Sequence, residues 1–178
     1  NGFSPDGQLW GKPIYNWDYQ KKTGYAWFNE RIRQNLAIYD ILRIDHFRGF
    51  AGYYTIPYGD KTARNGKWEV GPGFDFFKDK THLPIIAEDL GFLDDAVKNL
   101  LKSTGYPGMK VLEFAFDGHP DNDHKPSLQG TNYVCYTGTH DKETIVGYLK
   151  GLKEKELISY KKDVKEQCEI FHVPYRDY

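Results

Sequence analysis

Three carboxylates stand at or just past the ends of three separate apolar runs. Asp45 lies in Ile41–Phe47, Glu88 closes Leu83–Ala87, and Asp141 follows Tyr133–Tyr136 with His140 directly before it. Carboxylates acting in pairs perform glycosyl chemistry: one protonates the leaving oxygen while the other attacks the anomeric carbon. Arg43 precedes Asp45 by two positions, and side chains on a strand alternate, so both project to one face. A guanidinium there favours the ionised carboxylate. Aromatic residues make up 16% of the chain, and aromatic faces stack on sugar rings, although most such residues simply pack. Each feature has a plainer reading. Arg-x-Asp is often a structural ion pair, Glu88-Asp89 suits a helix N-terminus, and His140-Asp141 suits a capping unit. Their placement at the same end of successive strands favours a carbohydrate site.

The elements that must position these groups can be read from periodicity. Residues 1–20 alternate Gly and Pro with Phe3, Trp10, Tyr15 and Trp17, which reads as an ordered loop. Phe28, Ile32, Leu36 and Tyr39 mark one face of a helix. Ile41–Phe47, Leu83–Ala87, Met109–Phe116 and Tyr133–Tyr136 read as four short strands. Residues 49–80 read as an irregular, aromatic excursion. A helix is expected from about Asp94 to Ser103, with Asp94 as N-cap and Gly105 at its C-terminus. Residues 151–171 read as one or two solvent-facing helices. Strand, loop and helix in repetition specify parallel α/β architecture, and continuous apolar runs fit strands covered on both faces. A full (β/α)₈ barrel needs about 250 residues and eight strands. Four strands amount to half a barrel.

Composition narrows the function. A formal net charge of −1 lacks the concentrated basic surface that nucleic acid or an anionic membrane would require. No apolar run is long enough for a transmembrane helix, and the polar, turn-rich opening carries no expectation of a leader. Two cysteines do not make a disulfide framework, which fits a cytoplasmic protein. GxGxxG, GxxxxGK[ST], HExxH and CxxC are all missing, so neither cofactor nor metal is expected. Asp117, Asp121, Asp123 and His124 form a polar cluster whose spacing matches no EF-hand, and a solvated loop is the better reading.

Leu42-Arg43-Ile44-Asp45-His46-Phe47-Arg48-Gly49-Phe50 closely resembles the 4-α-glucanotransferases, or amylomaltases, of glycoside hydrolase family 77. So do Phe3-Ser4-Pro5, Gly7-Gln8 and Trp10-Gly11, then Ala87-Glu88-Asp89-Leu90-Gly91, Pro107–Leu112 and Tyr136–Asp141, all in order. The resemblance implies the C-terminal half of a (β/α)₈ TIM barrel of the α-amylase superfamily type, spanning 1–178 as a partial catalytic domain. It implies retaining transfer of α-1,4-glucan segments from a maltooligosaccharide donor to a sugar acceptor. By the same resemblance Asp45 is the nucleophile, Glu88 the general acid/base and Asp141 the transition-state carboxylate. Arg43 and His140 flank them, and Trp10 and Phe3 lie near bound glucan on the loop. Two other functions compete: a non-catalytic barrel piece that binds glucan or only packs, and an α-amylase-type hydrolase, which the loop at 3–11 disfavours. The segment alone is expected to be inactive.

Overall fold

The computed structural model describes residues 5–91 and 93–177. Its internal contacts divide it into two units, Asn1–Pro107 and Gly108–Tyr178.

In the first unit, the loop ends where Asn16 caps helix α1 (Trp17–Lys22), its Oδ1 accepting the Tyr19 N–H at 2.9 Å. Helix α2 (Ala26–Leu36) buries Phe28 and Ile32, the face marked by the apolar spacing. It stops short of Tyr39, which is exposed. Strand β1 (Leu42–Ile44) is shorter than the expected Ile41–Phe47. His46 adopts a left-handed conformation (φ 49°) and Phe47–Phe50 forms a 3₁₀ turn, which takes the chain out of the strand. Asp45 therefore lies just past the strand.

Residues 49–80 are not irregular. They hold an antiparallel hairpin of β2 (Gly52–Thr55) and β3 (Lys67–Val70), followed by the short helix α3 (Phe74–Phe77). Glycine density suggested a loop, but close approach requires these glycines. A Cβ on Gly66 would run into the Tyr54 ring, and one on Gly71 into the Phe50 carbonyl.

Strand β4 (Ile85–Ala87) pairs in parallel with β1, aligning Leu42 with Ile85 and Ile44 with Ala87. Helix α4 (Asp95–Thr104) has the expected Asp94 N-cap, which accepts the Val97 N–H, and a left-handed Gly105 at its end. The core of this unit is largely aromatic. Phe47, Phe76 and Phe77 are fully buried and interlock with Phe28, Phe50 and Tyr106, with ring centroids mostly 5–6 Å apart. Much of the aromatic content that suggested sugar stacking is therefore packing. Tyr25 and Tyr106 have hydroxyl pKa values pushed up to about 12, chiefly by burial.

The second unit pairs β5 (Gly108–Val111) in parallel with β6 (Tyr133–Tyr136). A 3₁₀ turn at Leu112–Phe114 ends β5 well before Phe116. Helices α5 (Ile145–Gly151) and α6 (Glu154–Ile170) follow, α5 starting before the expected helical stretch. Helix α6 fastens the 117–128 loop with two buried polar side chains one turn apart. Asp163 accepts the Gly118 N–H at 2.8 Å and Gln167 the Ser127 N–H at 2.9 Å, while Lys125 reaches Asp163 at 3.5 Å. Two members of the loop's polar cluster are engaged in the same way. Asp123 pairs with buried Lys110 at 2.6 Å, and His124 Nδ1 accepts the Val111 N–H at 3.1 Å. Among the described residues no group of three or more His, Cys, Asp or Glu is placed to hold a metal ion. No helix there is long and apolar enough to cross a membrane.

Candidate active site

The β1–β4 register decides what meets at the strand ends. Ile44 is paired with Ala87, so the next residue on each strand is a carboxylate, Asp45 on one and Glu88 on the other. The ladder runs on through this step. The Glu88 N–H donates to the Ile44 carbonyl at 2.9 Å, and the Phe47 N–H donates to the Glu88 carbonyl at 3.0 Å. Neighbouring strands lie about 4.8 Å apart, so Asp45 and Glu88 leave the C-terminal edge of the pair from adjacent backbone positions.

Each is held differently. Asp45 Oδ1 accepts from Arg43 Nη2 at 2.7 Å, as strand alternation required, and its side chain is 64% exposed. Glu88 is tied through both oxygens to backbone amides. Oε2 accepts the His46 N–H at 2.7 Å and Oε1 the Leu90 N–H at 2.8 Å. Left-handed backbone is uncommon outside glycine, and His46 adopts it at the point where its N–H meets Glu88. The residue after one carboxylate thus orients the other. Arg48 braces the same region, with Nη2 3.0 Å from Asp94 and its guanidinium 4.5 Å over the Trp68 ring.

Sequence reasoning missed these supports. The His46 and Leu90 contributions are backbone donors, which no side-chain pattern in the sequence signals. The Arg48–Trp68 contact needed the hairpin.

In the second unit, His140 and Asp141 follow β6 and are both well exposed, with His140 Nε2 3.4 Å from Asp141 Oδ1. Here too the sequence overlooked a carboxylate. Glu113 is buried beside Gly138, and its Oε2 has no hydrogen-bond partner among the described residues. Trp10 is 73% exposed on the N-terminal loop. Phe3 lies outside the described residues. The structure therefore brings together Arg43, Asp45 and Glu88, and separately His140 and Asp141.

Comparison with known proteins gives this geometry its family. The 4-alpha-glucanotransferase model of glycoside hydrolase family 77 matches residues 1–173. The chain belongs to that family. It is 49% identical over 160 residues to the 4-alpha-glucanotransferase of Clostridium butyricum, covering 88% of this chain and 33% of the relative. Against the Streptococcus pneumoniae 4-alpha-glucanotransferase it is 50% identical over 152 residues, covering 83% of this chain and 30% of the relative. The amylomaltase of Streptococcus agalactiae, solved in complex with acarbose, superposes with a TM-score of 0.83 at 42% identity, covering 92% of this chain and 34% of that one. The Corynebacterium glutamicum amylomaltase shares the fold at 20% identity and a TM-score of 0.72, covering 96% of this chain and 26% of that one. The chain thus spans about a third of the length of these relatives.

Proposed function

We propose that this chain carries the catalytic carboxylates of a 4-α-glucanotransferase that transfers α-1,4-glucan segments by a retaining double displacement. The observation that carries the reading is that Asp45 and Glu88 directly follow the paired residues Ile44 and Ala87 at the ends of adjacent parallel strands. Retaining glycosidic chemistry needs two carboxyl groups about 5–5.5 Å apart, and residues at the ends of neighbouring strands, whose backbones lie about 4.8 Å apart, are close enough to reach that separation. The acarbose-bound relative supports a glucan-type site. In this reading the four parallel strands β1, β4, β5 and β6 belong to a (β/α)₈ barrel, whose chemistry sits at the C-terminal strand ends.

Asp45, oriented by Arg43, attacks the anomeric carbon while Glu88 gives a proton to the leaving glycosidic oxygen. The resulting C1–O bond to Asp45 is then broken by an acceptor sugar hydroxyl, whose proton returns to Glu88. Asp141, with His140 beside it, grips sugar hydroxyls and offsets charge at the ring. Trp10 and Phe3 offer the loop's aromatic faces to glucan. Neither cofactor nor metal takes part, and a cytoplasmic location goes with the two free cysteines, Cys135 and Cys168.

The test uses the full-length protein carrying this chain with maltotriose. Transfer yields glucose and longer maltodextrins at a constant number of reducing ends, and Asp45→Asn abolishes it. Reducing ends that rise with every cleavage would instead identify a hydrolase, and absence of turnover would identify a non-catalytic glucan binder.

A further inference from the structure

The two amides that hold Glu88 come from two different segments. The His46 N–H, bonded to Oε2 at 2.7 Å, belongs to the turn that follows β1, and the Leu90 N–H, bonded to Oε1 at 2.8 Å, to the segment that follows β4. Farther out, side chains join the same two segments again. Arg48, in the turn after β1, donates from Nη2 to Oδ2 of Asp94, in the segment after β4, at 3.0 Å. The Arg48 side chain is only 16% exposed and that of Asp94 42%, so the pair is better shielded from water than a surface pair, whose contribution is small. The Trp68 ring, on strand β3 of the hairpin, lies 4.5 Å from the guanidinium and backs it with a cation–π contact.

Asp94 uses its two oxygens for two purposes. Oδ1 accepts the Val97 N–H at 3.1 Å and caps α4, while Oδ2 takes Arg48. The first contact belongs to the helix and the second to the turn after β1. Arg48 stands in the 3₁₀ turn Phe47–Phe50, which the chain enters through the left-handed backbone of His46 at φ 49°. A residue other than glycine is strained there and stays only where its surroundings fix it. The Phe47 N–H bonded to the Glu88 carbonyl at 3.0 Å and the Arg48–Asp94 pair are two of the contacts that fix this turn.

We propose that the Arg48–Asp94 pair closes the cradle around the Glu88 carboxylate: it holds the turn after β1 against the segment after β4 and so keeps the His46 and Leu90 amides on one carboxyl group. The proposal rests on the transferase reading above, in which Glu88 is the general acid/base. Arg48 and Asp94 are positioning residues, acting through those two amides. Proton transfer needs Glu88 within hydrogen-bond reach of the glycosidic oxygen. Loss of the pair therefore weakens an interaction made in the transition state, and it lowers kcat with KM little changed.

Asp94→Asn in the full-length protein separates the pair from the cap, because asparagine caps a helix as well as aspartate does but offers Arg48 no charge. With maltotriose as substrate, kcat should fall about tenfold while KM stays within about twofold, a loss short of the roughly 10²-fold that a 1 Å displacement costs. Arg48→Gln should lose a similar amount, and the double variant Asp94→Asn/Arg48→Gln should be no slower than either single one, since both changes break the same contact. Hydrogen exchange reads the cradle directly. Each single variant should speed exchange of the His46 and Leu90 amides while helix α4 stays protected. An unchanged kcat, or losses that add in the double variant, overturns the proposal. Loss of protection throughout α4 shows a merely structural role and overturns it too, as does unchanged exchange of the two amides whatever the activity. A wild-type protein that fails to disproportionate maltotriose overturns the transferase reading instead, and the exchange result still judges the cradle.

Discussion

Glu88 Oε2 accepts the backbone N–H of His46 at 2.7 Å, so the carboxylate at the end of β4 is oriented by the residue that follows Asp45. The Glu88 carboxylate is thereby tied to the backbone that carries Asp45, so a shift of the β1 end shifts its anchor as well.

This relation makes Glu88→Gln informative. A carboxylate accepts through both oxygens, whereas a glutamine must turn its NH₂ toward either the His46 or the Leu90 N–H, setting donor against donor. The variant also lacks the transferable proton. Turnover of the full-length protein should fall by about 10²–10⁴-fold, with a stability loss on the order of 1–3 kcal/mol from the unmet amide. Steady-state kinetics and thermal unfolding, run side by side, check both parts.

A second prediction concerns the hairpin's seat. The Gly71 N–H donates to the Ala51 carbonyl at 3.0 Å, and a Cβ on Gly71 would collide with backbone atoms of Phe50 and Gly49. Those atoms belong to the 3₁₀ turn that follows Asp45 and cannot swing aside as a side-chain tip would. Gly71→Ala should cost about 1–3 kcal/mol, measured as a lower denaturant midpoint. Gly11→Ala, at a position with open space but φ +62°, should cost less. Equal stability of Gly71→Ala and wild type would contradict the packing described.

What the sequence could disclose depended on range. Asp94 and Gly105 were legible because helix caps are chosen by neighbours within one turn. Arg43 and Asp45 were legible because strand alternation places residues two apart on one side. The His46–Glu88 bond spans 42 positions and depends on a left-handed non-glycine residue, which no local pattern encodes. The hairpin was hidden for a related reason. Gly66 and Gly71 look like loop residues until Tyr54 and Phe50 are seen pressing on them. Composition counted the aromatic residues but could not separate exposed Trp10 and Trp68 from buried Phe47, Phe76 and Phe77.

His124 gives a pH dependence with a definite sign. Burial holds its pKa below the ordinary 6.5, with Lys110 acting in the same direction and Asp123 and Asp117 opposing. Its Nδ1 accepts the Val111 N–H and must stay unprotonated to do so. The folded pKa is the lower one, so the unfolded chain binds the proton more readily. Stability is then full above about pH 6.5 and is lost as pH falls through the folded value. Unfolding temperature should drop from about pH 7 to about pH 5 in the wild type and drop less in His124→Gln. Parallel curves for the two proteins would show that another group is responsible.

The last prediction concerns what the 178 residues do alone. The proposed function places Asp45, Glu88 and Asp141 in the chemistry, and all three are present. Position is the obstacle. The chain spans about a third of its relatives, and among the described residues its parallel strands form only the two-stranded pairs β1–β4 and β5–β6. In a closed barrel each interior layer draws side chains from alternate strands around the whole ring. Ile38, Tyr39 and Ile41, which lead into β1, are 75%, 59% and 57% exposed, apolar surface left open to solvent. Catalytic groups must be held within about 0.5 Å of productive geometry by a locked surrounding shell, and a 1 Å error costs about 10²-fold in rate. The purified 178-residue chain should therefore leave maltotriose unchanged under conditions where the full-length protein disproportionates it. It should also expose apolar surface that binds a hydrophobic dye. Glucose and longer maltodextrins appearing with the isolated chain would overturn this expectation.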